Sequence, residues 1–429
     1  MDDPQVKYLL SLQAIRDRAK VVGEAAKSGN GLTNFDVDFG DKLDHAVDFV
    51  AEVIKRDFGP DKFETIPPHG RWQHFEVGGV PRIADLMAEW KKAGCNKTEQ
   101  TRRLIDLFFV SVLLDAGAGD HWRYTEPGTT SEGQVYERSE GIAVASLHMF
   151  KSLAFTTGNI PIVDGKGLER LDTQKLAAGF QVSETNHMLR VDSRAALLQS
   201  LGQSLLANPD VFGAEGRPGN LVDYMIKSAG DASSTLDVLY LWDVLQTLLI
   251  PIWPKDRTTV NGMPIGDAWP LSTLKASGSE CIQPFHKLTQ WLTYSLMVPF
   301  QRVLGLQWTN SDSLTALPEY RNGGLFVDLG VLSLKKEALE RGLQAAGAGE
   351  ELPVFEAGND VIVEWRALTL VLIDILYGRI QSRMGDGVQL TMAQLLEAGT
   401  WKSGREVAAQ RRPKTKSSPI LIKSDGTVF

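Results

Sequence analysis

The sequence predicts a mainly α protein built as a single large helical body. Three observations carry that expectation. Apolar residues recur at helical spacing along most of the chain, strand signals are confined to two short runs, and no repeat, low-complexity tract or Pro/Ser-rich linker breaks the interior. A length of 429 residues ordinarily suggests two or three domains, but the missing linkers favour one body over 1–400 and a partly irregular tail over 401–429.

Taken in order, Leu9, Leu10, Leu12, Ile15, Val21 and Val22 mark a first helix, and His45, Phe49, Val50, Val53 and Ile54 a second, stopped near Gly59-Pro60. Arg103 to Asp115 reads as a third, ended by Gly117 and Gly119. Glu140 to Leu153, Arg194 to Ala207 and Leu236 to Ile250 have the same period. Lys287 to Leu304 is apolar and aromatic with Pro299 inside it, and Val361 to Ile380 is the strongest helix signal of the chain. Leu325-Phe326-Val327 and Val354-Phe355 are the two strand signals. After Trp401 the chain turns basic, and the composition of Arg411 to Ser418 predicts no regular structure.

Composition narrows the function. A formal net charge of −8 argues against nucleic acid, whose binders carry a basic face. Two distant cysteines, Cys95 and Cys281, suit reduced, partly buried thiols and no disulfide framework. The start MDDPQVKYLLSL is acidic where a signal peptide is basic, and no run reaches about 18 uncharged apolar residues. A cytoplasmic protein without membrane spans is expected. The chain has no GxxxxGK[ST], no GxGxxG between strand and helix, no HExxH and no GxSxG. His69 and His74 are the nearest approach to a metal pair, and the expectation is neither metal nor cofactor.

Four strings put charge where burial is expected. Burying a charge costs several kcal/mol unless it is paired, so such residues are either structural pairs or site residues. ALTLVLIDILY (367–377) is apolar nearly all round, which places its helix centrally and Asp374 in its middle, with Glu364, Trp365 and Arg366 at the head. LPEYRNGGLFVD (317–328) offers Glu319, Tyr320, Arg321 and Asn322 in a Gly-shaped loop suited to a polyhydroxylated ligand, followed by Asp328 in an apolar run. LLDAGAGDHWRY (113–124) offers Asp115 and Trp122 around two glycines, and GRWQHFE (70–76) offers Arg71 and His74 to an anion or a flat ligand.

GRWQHFE (70–76), LLDAGAG (113–119), SEGIAVASL (139–147), LPEYRNGGLFVD (317–328), EWRALTLVLID (364–374) and the terminal SDGTVF (424–429) together resemble the fungal and bacterial uracil-catabolism proteins of the Urc/Urg type, almost end to end. The resemblance implies a step of pyrimidine breakdown in which urea is split from a ribosylurea or its 5-phosphate. It also implies a remote likeness to the helical, DNA-glycosylase-like queuosine-salvage hydrolases, an analogy of fold alone. Cleaving a ribosyl–nitrogen bond passes through an oxocarbenium-like state that needs a carboxylate and proton donors, and no metal. On chemical grounds Asp328 is expected to activate water or steady the cation, and Glu319 and Asp115 to grip ribose hydroxyls. Arg321 and Arg366 would bind the urea carbonyl or a phosphate, Tyr320, Trp122 and Trp365 would wall the pocket, and Asn322, Glu364, Arg71 and His74 complete the expected substrate contacts. The expected partner is a small molecule. The competing readings are a non-catalytic binding or scaffold protein of the same pathway, and a nucleotide N-glycosidase.

Overall fold

The structure, a computed structural model, describes residues 3–423 except 30, 60, 116–120, 129–132, 231–232, 276, 348 and 386. Gly117, Gly119, Asp120 and the terminal SDGTVF lie outside the described residues. The chain is mainly α, as the periodicity predicts, and every sheet among the described residues has two short strands. Among these residues no helix is long and apolar enough to cross a membrane.

The chain divides into two compact units. One takes the residues up to His69, Lys255–Lys287 and 312–423; the other takes Gly70–Pro254 and Leu288–Ser311.

The first unit is organised around the helix Asp360–Met384, which packs on Leu12–Lys27 and on Asp41–Phe58. Asn359 caps it by accepting from the Val361 amide at 3.0 Å. Its first half is buried on every face, but the apolar run overstates the second half: Asp374 lies at the exposed surface, 3.7 Å from Arg16. The first predicted helix is two, Pro4–Leu9 and Leu12–Lys27, because Ser11 accepts from the Ala14 amide and starts a new cap. Val354–Glu356 is a strand, as expected, paired in parallel with Leu421–Lys423. Leu325-Phe326-Val327 is not a strand: it belongs to the helix Tyr320–Asp328. Its two glycines serve close packing and not a turn. A Cβ on Gly323 would lie 2.8 Å from the Trp365 ring, and one on Gly324 would lie 3.0 Å from Pro419.

The helix Trp401–Arg411 crosses this short helix at Gly404, where a Cβ would fall inside van der Waals contact of the Arg321 carbonyl oxygen. A backbone oxygen yields less readily than a side chain. Gly404→Ala is therefore expected to lower stability by about 1–3 kcal/mol in urea unfolding. An unchanged midpoint would show that the two helices are not seated this closely.

The second unit is built on the helix Lys97–Leu113, buried from Leu104 to its end and packed on Arg138–Lys151. Asn96 caps it, accepting from the Glu99 amide at 2.9 Å. Asp106 is fully buried within it and receives the Gly219 amide at 2.6 Å and Arg217 Nε at 2.9 Å. Burial raises the Asp106 carboxyl to about 6 against the pull of Arg217. The same helix carries Ser111 near its end and delivers the chain to Asp115.

Candidate active site

Glu319 is extended, and its carboxylate caps the helix Tyr320–Asp328. One oxygen accepts from the Arg321 amide at 2.6 Å and the other from the Asn322 amide at 2.5 Å. The loop is fixed from two sides: Asn322 Nδ2 donates to the Leu317 carbonyl at 2.9 Å, and Arg366 Nε to the Pro318 carbonyl at 3.3 Å. Burial pushes the Glu319 carboxyl up to about 7, opposed by the Asn322 amide and by Lys287 and His69. A carboxyl that holds its proton part of the time at neutral pH is suited to proton transfer, which an ordinary surface glutamate is not.

Lys287 and His69 are themselves positioned. The Lys287 amide donates to Asp267 Oδ2 at 3.0 Å. His69 is buried, with its backbone amide on the Ala393 carbonyl at 2.9 Å and its ring Nδ1 2.6 Å from Glu397 Oε2. Assigning the proton to Nδ1 makes the ring the donor and fixes its orientation. Glu397 lies in a π-helical stretch, Leu395–Thr400, which widens the turn just before Trp401. Such stretches occur often at functional sites. The Trp401 ring centroid is 6.0 Å from that of His69. Glu319, His69, Glu397 and Lys287 thus form one titratable cluster in the first unit.

The other residues expected around this loop are placed as ties. Asp328, expected as the water-activating carboxylate, has one oxygen 2.8 Å from Arg412 Nη1 and the other 2.5 Å from Nη2. Both of its oxygens are held by that one guanidinium. Arg321 donates to the Lys416 carbonyl at 2.8 Å and stacks over Tyr320. Glu364 is fully buried and accepts from the amides of Thr33, Asn34 and Phe35 and from the hydroxyls of Thr33 and Thr273, so it anchors a chain segment and is saturated. Trp365 is buried with Nε1 on the Gly323 carbonyl at 3.1 Å. Arg366 holds Asp267 through two bonds of 2.8 Å and lies over the Phe285 ring.

In the second unit the sequence motifs converge on one buried arginine. Arg71 is fully buried; its Nε donates to Ser111 Oγ at 2.8 Å, its Nη2 to the Ser111 carbonyl at 3.1 Å, and its Nη1 lies 2.9 Å from Asp115 Oδ2. The same Nη1 is 3.1 Å from His74 Nδ1. A guanidinium cannot accept, so Nδ1 is the acceptor and His74 carries its proton on Nε2. Asp115 Oδ1 is buried without a hydrogen-bond partner among the described residues. Arg194, also fully buried, donates to the Leu114 carbonyl at 3.1 Å, and burial lowers it to about 10 although Asp115 supports its charge. Trp122 is core, its Nε1 on the Phe180 carbonyl at 2.8 Å.

The expected site residues therefore fall into two groups. Glu319, Tyr320, Arg321, Asn322, Asp328, Trp365 and Arg366 gather about one short helix, Glu364 being the anchor already described, while Arg71, His74 and Asp115 form a second cluster. His69 and His74 belong to different units, and no group among the described residues has the make-up of a metal site. Three residues near Glu319 are not among those the sequence reading assigns to a site: His69 outside its possible metal pair, Lys287 and Glu397. Glu397 had a legible signal, a lone carboxylate in the run LLEAGT.

Comparison with known proteins gives a family and two relatives. Residues 8–429 match the family described as "Protein of unknown function (DUF1688)". The chain is 50% identical over 433 residues to "Protein urg3" of Schizosaccharomyces pombe, covering 100% of both chains. It is 44% identical over 446 residues to "Uracil catabolism protein 4" of Lachancea kluyveri, again covering 100% of both.

Proposed function

The chain belongs to the DUF1688 family, and from that membership we propose that it acts in uracil catabolism as an N-glycoside hydrolase that releases urea from ribosylurea or its 5-phosphate. The name of one full-length relative supports the pathway. The observation that carries the chemistry is Glu319, a capped and half-buried carboxyl raised to about 7 beside His69 and Lys287.

In this reading Glu319 donates its proton to the urea nitrogen while the C1–N bond breaks and its electron pair moves to that nitrogen. Water forms the new bond to C1, and its proton leaves to the His69–Glu397 pair. The products are ribose, or its phosphate, and urea. An acid and a base of separated character are what such a displacement requires. Lys287 contributes positive charge for a phosphate or for the leaving carbonyl. Asp328, Arg321, Glu364 and Arg366 act through the scaffold.

The test is to incubate the purified chain with ribosylurea and with its 5-phosphate and to assay free urea, with and without a chelator. Urea from one of the two substrates, unaffected by chelation, is the expected result. No urea from either, with the chain instead retained on the enzyme that opens the pyrimidine ring, would replace this reading with the scaffold one.

A further inference from the structure

The basic segment after the last helix, whose composition predicts no structure, is bound along the helix that Glu319 caps. Arg412 puts its guanidinium fork on the two oxygens of Asp328 at 2.8 and 2.5 Å, at the C-terminal end of that helix. Its Nε donates to the Ser417 carbonyl at 2.9 Å and closes the turn. The next carbonyl back, that of Lys416, takes Arg321 Nη1 at 2.8 Å, at the N-terminal end of the same helix. Pro419 then sits against Gly324, Ile420 is buried, and Leu421–Lys423 leaves as a strand paired with Val354–Glu356. The segment spans the helix from one end to the other.

The helix needs this support. Nine residues are too few for a stable isolated helix, and Gly323 and Gly324 each weaken it further relative to alanine. Its close packing on Trp365 requires those glycines, so stability must come from neighbours. A cap residue is only as fixed as the first turn it caps.

We infer that residues 412–423 form a strap that holds the Glu319 helix in its working position, with Arg412 as the positioning residue that acts through Asp328. The inference rests on the assignment of Glu319 to proton transfer. It explains why a carboxylate expected to be catalytic is instead paired bidentately, and why a Lys/Arg-rich tail is ordered. An Arg–carboxylate fork fixes direction as well as distance, which a lysine does not.

The experiment uses full-length Arg412→Ala, the milder Arg412→Lys, and Asp328→Asn. Three quantities are read: melting temperature, urea release against pH, and the titration of the Glu319 carboxyl by carbon-13 NMR, identified by its absence in Glu319→Gln. With the strap broken, turnover per folded molecule should fall about 10- to 100-fold, the scale of a small misplacement of a reacting group. The Glu319 midpoint should move from about 7 toward the ordinary 4.5 as water reaches the loosened turn. Arg412→Lys should lie between, and Arg412→Ala with Asp328→Asn should cost no more than the larger single change. A lower melting temperature with unchanged turnover and an unmoved Glu319 midpoint would reduce the segment to general stability and overturn the inference. If the wild-type chain releases no urea, the hydrolase reading fails alone, because the NMR midpoint still decides whether Arg412 governs Glu319.

Discussion

Glu319→Gln is expected to lower urea release by at least ~100-fold, the usual scale for losing a proton donor, with little change in the melting temperature. Glutamine keeps an oxygen for one of the two backbone amides that the carboxylate now receives, so the cap is weakened and not lost, a cost of about 1 kcal/mol or less. What disappears is the transferable proton. The direction with pH follows from the raised value. In the wild-type chain the donor form is lost as pH rises through about 7, so turnover should fall across that range, and this limb should vanish in Glu319→Gln. The stability consequence has the same origin. The folded chain binds this proton more tightly than the unfolded chain, so stability declines as pH rises from about 4.5 to about 7 and is level above it. Glu319→Gln should flatten that decline, which links an equilibrium measurement to a kinetic one. Near-normal turnover of Glu319→Gln, with loss in His69→Asn or Glu397→Gln, would move the proton donor to the histidine pair.

The fold class and most helices were legible because burial imposes a helical period on apolar residues. The errors are equally physical. Leu325-Phe326-Val327 has β-favouring side chains and follows two glycines, yet the carboxylate of Glu319 supplies an N-cap and the glycines admit Trp365 and Pro419, so packing overrides propensity. Asp374 was placed in the core by the apolar run around it, although a 25-residue helix turns one flank of its second half to solvent. The composition of 411–418 predicts no regular structure and 412–418 has none, but composition alone does not reveal that Arg412 ties the segment to Asp328, more than eighty residues earlier. For the candidate site, the sequence points to the loop at 317–322 and assigns the reacting carboxylate to Asp328, which the structure pairs with Arg412. An apolar run around a carboxylate reveals burial, and nothing local reveals the arginine that neutralises it. The partner of Asp328 is on another helix's end, that of Arg366 is Asp267 in an irregular segment, and that of His69 is Glu397 in a π-helical turn. Each pairing is long-range and leaves no period in the sequence.

Arg366→Ala is expected to destabilise the chain severely, by about 3–5 kcal/mol, because it leaves a carboxylate buried without its counter-ion. Asp267 is fully buried and meets both arginine nitrogens at 2.8 Å; it also receives Trp269 Nε1 at 2.8 Å and the Lys287 amide at 3.0 Å. Burial alone would raise the Asp267 carboxyl, but Arg366 overrides it and holds the group well below the usual range. The sign for stability is the reverse of that for Glu319: the ion-pair contribution is present above the unfolded value near 3.8 and is lost as pH falls below it. Asp267→Ala should cost a comparable amount by stranding the guanidinium over Phe285. The double variant Asp267→Leu with Arg366→Met should recover much of the loss, since an apolar pair of similar volume carries no desolvation penalty. Thermal and urea unfolding of the three variants decides the matter. If Arg366→Ala instead melts near the wild-type temperature and binds ribosylurea more weakly, Arg366 contacts the ligand directly, as the sequence alone suggests, and the bidentate pair with Asp267 is not what holds this part of the fold.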